Sequence, residues 1–244
     1  MMKTFSIREA FQFGWSEFKK YPWKYIGITF IAILIQCLTR VPFLGVVAWV
    51  VSVAVSIGFI KILLGSYEGK VPEVNTLFTE WKKFFRALGI GLLIALIVFM
   101  PAALFYALGV IGAFIIPQGY QLVPLIVGGI VAFAFLLVFA IRYMFASYFL
   151  VEKNTKIVES LKLSAQMTKG IKLKIVGLFV CLILANIAGF IVLGVGLLVS
   201  IPVTRLALVH VYKKLSANND VTIVPEETIT HEHQEAEVKE ESIG

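Results

Sequence analysis

Acidic side chains are absent from every long apolar run of this chain, and that absence removes the commonest machinery of membrane-embedded chemistry. Ion-coupled carriers and intramembrane catalysts place ionisable groups in mid-span, where they are expensive and tend to be functional. The seven carboxylates before residue 216 (Glu9, Glu17, Glu68, Glu73, Glu80, Glu152 and Glu159) all fall between the runs. Cysteine is scarce as well. Cys37 and Cys181 both lie within apolar runs and read as small buried hydrophobes, not as a disulfide or redox pair. There is no GxSxG, no HExxH and no phosphate-binding glycine loop. The only metal-like cluster, His231-Glu232-His233, sits in an acidic tail with no helix to align it, and His210 reads as an interfacial residue. The expectation is a protein without catalytic residues, metal or cofactor. MMKTFSIREA lacks an apolar h-region, so no removable leader is expected.

What the chain has instead is apolar surface. Of its 244 residues 59% are hydrophobic and only 15% charged, with a mean hydropathy of +0.90. Soluble domains carry about 25% charged residues. The apolar residues come in long runs, which assigns the excess to membrane spans and not to one large core. Six spans are predicted, at about 24–39, 43–64, 88–110, 122–148, 172–188 and 190–212. Residues 175–204 form one uncharged run that a single tilted helix could also use, and the stretch 111–116 leaves room for a re-entrant segment. Pro101 and Pro202 fall inside runs, where kinks are common without any transport role.

Charge chooses between five spans and six. The net charge of +7 divides into a body, residues 1–215, with 21 Lys and Arg against 7 Glu, and an acidic tail, 216–244, with a single Lys239. If the chain folds back near Asn186 and Gly189, the outer connections hold one base, Arg40, and all other bases of the body face the other side. That asymmetry is the positive-inside signal and puts both termini in the cytoplasm. It also accounts for the basic pI without nucleic acid.

Three segments mix aromatics with bases. In residues 6–20, Ser6 and Glu9 fit a capping box; Ile7, Phe11, Trp15 and Phe18 line one face, and Arg8, Gln12, Ser16 and Lys19 the other. Pro22 marks the boundary before the first span. Residues 74–87 set Leu77, Phe78, Trp81, Phe84 and Phe85 against Glu80, Lys82, Lys83 and Arg86. Residues 155–169 are a less hydrophobic version, with Asn154 as predicted N-cap and Gly170 as stop. Each is expected to be a cytoplasmic amphipathic helix lying in the interface plane; docking on neighbouring inner loops is the alternative. Phe11 to Gly27 and Leu161 to Gly177 have the same spacing, and Gln36 and Asn186 fall equally far beyond those glycines. Lys61, Arg142 and Arg205 recur near the inner ends of the even spans, each followed by a tyrosine. The pattern is that of three pseudo-repeated helical hairpins.

SLKLSAQMTKG entering KIVGLFV, and GVGLLVSIPVTRLALVHVYKKL, resemble the signature segments of a broad family of uncharacterised prokaryotic six-span membrane proteins. That family is similar to the membrane domain found with some glycerophosphodiester phosphodiesterases. The resemblance implies an all-α domain over most of residues 5–215 in the cell membrane of a prokaryote. It transfers no catalytic residue, since the phosphodiesterase chemistry belongs to a separate soluble domain.

The side chains worth following are therefore few. Lys61, Arg142 and Arg205 are candidates either for anchoring by snorkelling or for holding anionic lipid headgroups. Gln36 and Asn186 form a candidate intramembrane polar pair, either an interhelical hydrogen bond or a substrate-facing feature. The expected role is non-catalytic organisation of lipid or partner subunits at the cytoplasmic membrane face. The alternative is a permease component working with a partner such as an ATPase, which the repeat pattern favours and the missing mid-span carboxylates disfavour.

Overall fold

A computed structural model of the chain describes residues 5–41, 44–117, 119–192 and 194–218. Among the described residues it is all-helical. Nine α-helices follow one another: α1 (Ile7–Lys20), α2 (Pro22–Leu38), α3 (Gly45–Tyr67), α4 (Phe84–Ile115), α5 (Leu122–Tyr143), α6 (Ala146–Lys153), α7 (Ile157–Met167), α8 (Lys172–Ile191) and α9 (Leu197–Asn218). Four stretches are long and apolar enough to cross a membrane: Val47–Tyr67, Phe84–Ile115, Leu122–Lys153 and Lys172–Ile191. The pair α1–α2, bent by 101° at Tyr21, makes a fifth if counted as one. The predicted acidic tail and its histidines lie outside the described residues.

Local chemistry explains most boundaries. The Ser6 hydroxyl accepts from the Glu9 amide, capping α1 as the Ser-x-x-Glu spacing predicts. Tyr21 leaves helical geometry at φ −140° and ψ 58°, and Pro22 opens α2, where a missing N–H costs nothing. Residues 175–204 are two helices, separated by a turn in which Gly194 takes φ +71°. Residues 111–115 continue α4, so the structure has no re-entrant segment there; the helix runs for 32 residues through Pro101.

Three predicted features come out differently. The second amphipathic segment is not an α-helix over 74–87. It forms two 3-10 turns, Val74–Phe78 and Trp81–Lys83, and α4 starts at Phe84. The reason is packing: Leu77 is fully buried, and its backbone lies directly on Gly58 of α3, which pins the segment before a regular helix can form. Asn154 does not cap α7. It ends α6 in the left-handed region at φ 54°, and the N-cap of α7 is Lys156, whose amide donates to the Glu159 carboxylate at 3.3 Å. The fourth predicted span breaks after Tyr143. Ser164 of α7 replaces the lost helical bonds, accepting from the Phe145 amide at 3.2 Å and donating to the Arg142 carbonyl at 2.9 Å.

The core is concentrated at the end where α1, α6, α7 and the last turns of α9 meet. Tyr25, Phe145, Phe149, Met167 and Tyr212 are fully buried there. The α4–α5 hairpin instead closes on small residues, Gly109 against Gly128 and Pro124, and leaves most large side chains bare. Phe114 and Ile115, at the far end of α4, are 85% and 77% exposed. Apolar surface on that scale is what a hydrocarbon environment would cover.

Helix α1 packs along α9. Its buried stripe runs through Ala10, Gly14, Glu17 and Phe18, with Ile7 and Phe11 against the core, whereas Trp15 is half-exposed. The predicted aromatic face is thus rotated toward the two smallest residues, because only they allow the backbones to approach. Both cysteines are free thiols, and Cys37 is exposed where burial was predicted. It lies on the bare C-terminal half of α2, near the exposed Leu34 and Leu38.

Candidate functional site

Charged residues gather at one end of the bundle and mostly satisfy one another. Lys214 of α9 pairs with Glu9 of α1 at 2.5 Å. Lys213 pairs with Glu152 of α6 at 2.6 Å and with Glu68, just past α3, at 3.1 Å. Lys61 pairs with Glu80, which also takes Lys83 at 3.1 Å, and Lys83 donates to the Val151 carbonyl at 2.9 Å. Arg86 reaches the Asn154 side chain at 3.1 Å. These contacts tie the chain's hairpins into one polar layer. A cavity of about 700 Å³ in that layer is lined by Lys61, Glu68, Lys70, Glu73, Thr76 and Glu152 among others.

Ionisation follows from this pairing. The Glu9 carboxyl is held below its ordinary value by the bond from Lys214, and Glu68 by bonds from Lys70 and Lys213. Burial pushes Glu80 up, but Lys61 and Lys83 together outweigh it and leave it lowered. Burial pushes Lys213 down, and its two glutamates more than restore it. A carboxylate lowered on folding stabilises the fold above its unfolded value and loses that contribution as pH falls through the folded one. The melting temperature of the purified protein is expected to hold from about pH 8 to 5.5 and to drop below about 4.5. Glu80→Gln should lower it at neutral pH and shrink the acid-induced drop. Parallel profiles for the two proteins would exclude Glu80 as an acid-sensitive tie.

Of the three bases singled out by position, Lys61 is therefore committed to Glu80, and Arg142 has an exposed side chain while its carbonyl serves the α5–α6 break. Arg205 differs. It lies inside α9, closer to its start at Leu197 than to its end at Asn218. Its side chain lines a cavity of about 330 Å³ between α2, α3 and α9. The other polar lining groups are Thr29, Gln36, Ser52 and Ser56, and no carboxylate lines it. The three bases are not brought to one cavity.

Each polar lining group has a distinct standing. Ser52 and Ser56 donate back to the Trp49 and Val53 carbonyls, both at 2.7 Å, which leaves their oxygens free to accept. Thr29 is 1% exposed, and its hydroxyl has no hydrogen-bond partner. An unsatisfied buried hydroxyl costs about 1–3 kcal/mol, and that cost falls on this cavity.

Gln36 and Asn186 do not act as a pair. Asn186 of α8 bonds across to α9, accepting from Ser200 at 3.0 Å and donating to Thr204 at 3.4 Å, beside the close approach of Gly189 to Gly196. Gln36 faces the Arg205 cavity. His210 lies between rings, stacked on Phe13 at 4.9 Å with Tyr67 at 6.0 Å, and neither ring nitrogen has a hydrogen-bond partner. Thr29, Ser52 and Ser56 carry no signal in the sequence, since single hydroxyls in apolar helices ordinarily satisfy themselves within the helix.

No family model matches the chain, and no curated protein or solved structure matches it either.

Proposed function

We propose that the chain is a non-catalytic multi-pass membrane protein that organises lipid or partner subunits at the cytoplasmic face of a prokaryotic cell membrane. The observation that carries this reading is at the first turns of three apolar helices. At the start of α2, Trp23 is 82% exposed beside the exposed Lys24; at the start of α4, Phe85 is 78% exposed beside Arg86; at the start of α8, Leu173 is 87% exposed between Lys172 and Lys174. A bare apolar side chain next to a long cation suits the headgroup boundary, where the ring or chain sits at interface depth and the base reaches phosphate.

The finer topology belongs to the same proposal. Six spans, with α2 and α9 as the first and last, put these three starts and both termini on one side, in agreement with the charge asymmetry of the loops. Each of the three starts opens the first helix of a predicted hairpin, after α1, the 3-10 turns and α7 respectively. That order supports three pseudo-repeats and the resemblance to the six-span family. Docking of α1 on α9 is compatible with an in-plane lie, because the half-exposed Trp15 and the exposed Lys19 and Lys20 occupy the side away from the bundle.

Extraction of the tagged chain from native membranes into polymer nanodiscs, followed by mass spectrometry of protein and lipid, tests the reading. The expected result is anionic lipid enriched over the bulk membrane. A stoichiometric ATPase would instead establish the permease reading, with the turns at 74–83, α1 and α7 as its docking surface. The absence of both enriched anionic lipid and a partner would overturn the proposal.

A further inference from the structure

We infer that the Arg205 cavity is a binding site for a single phosphate group, presented by an anionic lipid that enters between α2 and α3. The inference rests on the lipid-organising reading and names its ligand. Three observations converge on one space. The cavity holds a permanent cation with no carboxylate in its lining. In the same lining, Thr29 keeps a donor hydroxyl that is fully buried and has no hydrogen-bond partner. Gln36 adds two amide donors, and the serine oxygens complete a polar rim. Three donor groups, Arg205, Thr29 and Gln36, suit the oxygens of a phosphodiester, which accepts several hydrogen bonds and cancels one positive charge; the serine hydroxyls already donate to their own helix and only border the site.

The surroundings indicate a lipid as the source. The lining is completed by Ala32, Ile33, Val55, Phe59 and Ile201, and the space is at the small end of the range for ligand pockets. It fits a headgroup, not a whole lipid. Phe30, Leu34 and Trp49, on the same helices, are each about half-exposed and offer an apolar path for acyl chains. Arg205 is some 12 Å from the paired charges at Lys213, so the polar layer neither neutralises it nor shields the cavity. Lys61, by contrast, faces the other cavity with Glu80 already on it and is excluded from this site.

The test uses the full chain in phosphatidylcholine nanodiscs doped with phosphatidylglycerol, read by native mass spectrometry after transfer to detergent. The wild-type chain is expected to retain one phosphatidylglycerol per molecule. Arg205→Gln should lose it by about tenfold or more, with Arg205→Lys intermediate. Thr29→Val removes the lone hydroxyl at constant volume; it should melt no lower than wild type without anionic lipid, yet retain lipid several-fold less well. If phosphatidylglycerol is not retained but inorganic phosphate raises the melting temperature of wild type and not of Arg205→Gln, the phosphate comes from water and the lipid assignment falls. If wild type binds neither, or if Arg205→Gln retains lipid as wild type does, the site is overturned. Should Arg205→Gln fail to fold, Thr29→Val decides: a folded variant with undiminished retention overturns the site. The broader reading fails separately. Wild type that enriches anionic lipid around it while Arg205→Gln retains as much refutes this cavity alone, whereas wild type with no enrichment refutes the organiser.

Discussion

Gly58→Ala is expected to lower the melting temperature by about 2–8 °C, through a net loss of about 1–2 kcal/mol. Two effects of opposite sign meet at this residue. Glycine inside a helix is worth about 1 kcal/mol less than alanine, so propensity alone predicts a gain. A Cβ on Gly58, however, would run into the carbonyl oxygen of Leu77 and stand 2.5 Å from its Cα and 2.6 Å from its carbonyl carbon. All three are backbone atoms, and Leu77 is fully buried, so no side-chain rotation relieves the overlap. Overpacking of this kind costs about 1–3 kcal/mol, and more where backbone must move. The clash wins. Gly91→Ala and Gly129→Ala supply the contrast, because nothing lies within 4 Å of either new Cβ. Both should melt at or above the wild-type temperature. Hydrogen exchange should locate the damage to residues 74–80. A Gly58→Ala protein as stable as Gly91→Ala would mean that the 3-10 segment is not seated on α3.

How far the sequence discloses this arrangement depends on what each feature needs. The apolar helices are legible because hydrophobic length is a local property. α2, α3 and α8 fall within a few residues of the predicted stretches, whereas α9 starts at Leu197 and not near 190, and the break within 175–204 comes after Ile191 and not near Asn186 and Gly189, which both belong to α8. The α5–α6 break is not legible, since its stabilising hydroxyl, Ser164, comes from another helix and leaves no mark in residues 122–153. For the same reason the segment 74–83 misleads. Its amphipathic spacing is that of a helix, but the geometry is dictated by Gly58, sixteen residues earlier. The candidate site divides likewise. Arg205 and Gln36 stand out as polar groups in apolar runs, whereas Thr29, Ser52 and Ser56 become notable only when packing turns them toward the same space. Lys61 and Arg205 look equivalent by position, and only the presence of Glu80 beside one of them separates a tied charge from a free-facing one.

Valine at position 14 is expected to lift α1 away from α9 while leaving the remaining helices in place. The two backbones meet at this glycine: a Cβ there would stand 2.5 Å from the Val203 carbonyl oxygen and 3.2 Å from the Ala207 amide nitrogen. Neither atom can withdraw without bending α9 between Pro202 and His210. The smaller movement is for α1 to leave, which exposes Ala10 and Phe18 and separates Glu9 from Lys214. The loss, about 1–3 kcal/mol, corresponds to roughly 5- to 150-fold faster amide exchange across residues 7–20, with little change in α3 or α8. The same variant separates two forces that could hold α1 in place. A helix held by the bilayer would gain from an added apolar side chain, and its exchange would slow or stay the same. A helix held by α9 must lose. Gly177→Ala is the matched control: its Cβ meets the Ile7 side chain of α1 at an ordinary 3.6 Å, so it touches the same helix without a backbone clash and should leave exchange unchanged. Faster exchange in Gly14→Val with none in Gly177→Ala would place the anchorage of α1 in helix packing. Unchanged exchange in both would place it in the lipid, where the half-exposed Trp15 and the lysines beside it then become the residues that hold the helix down.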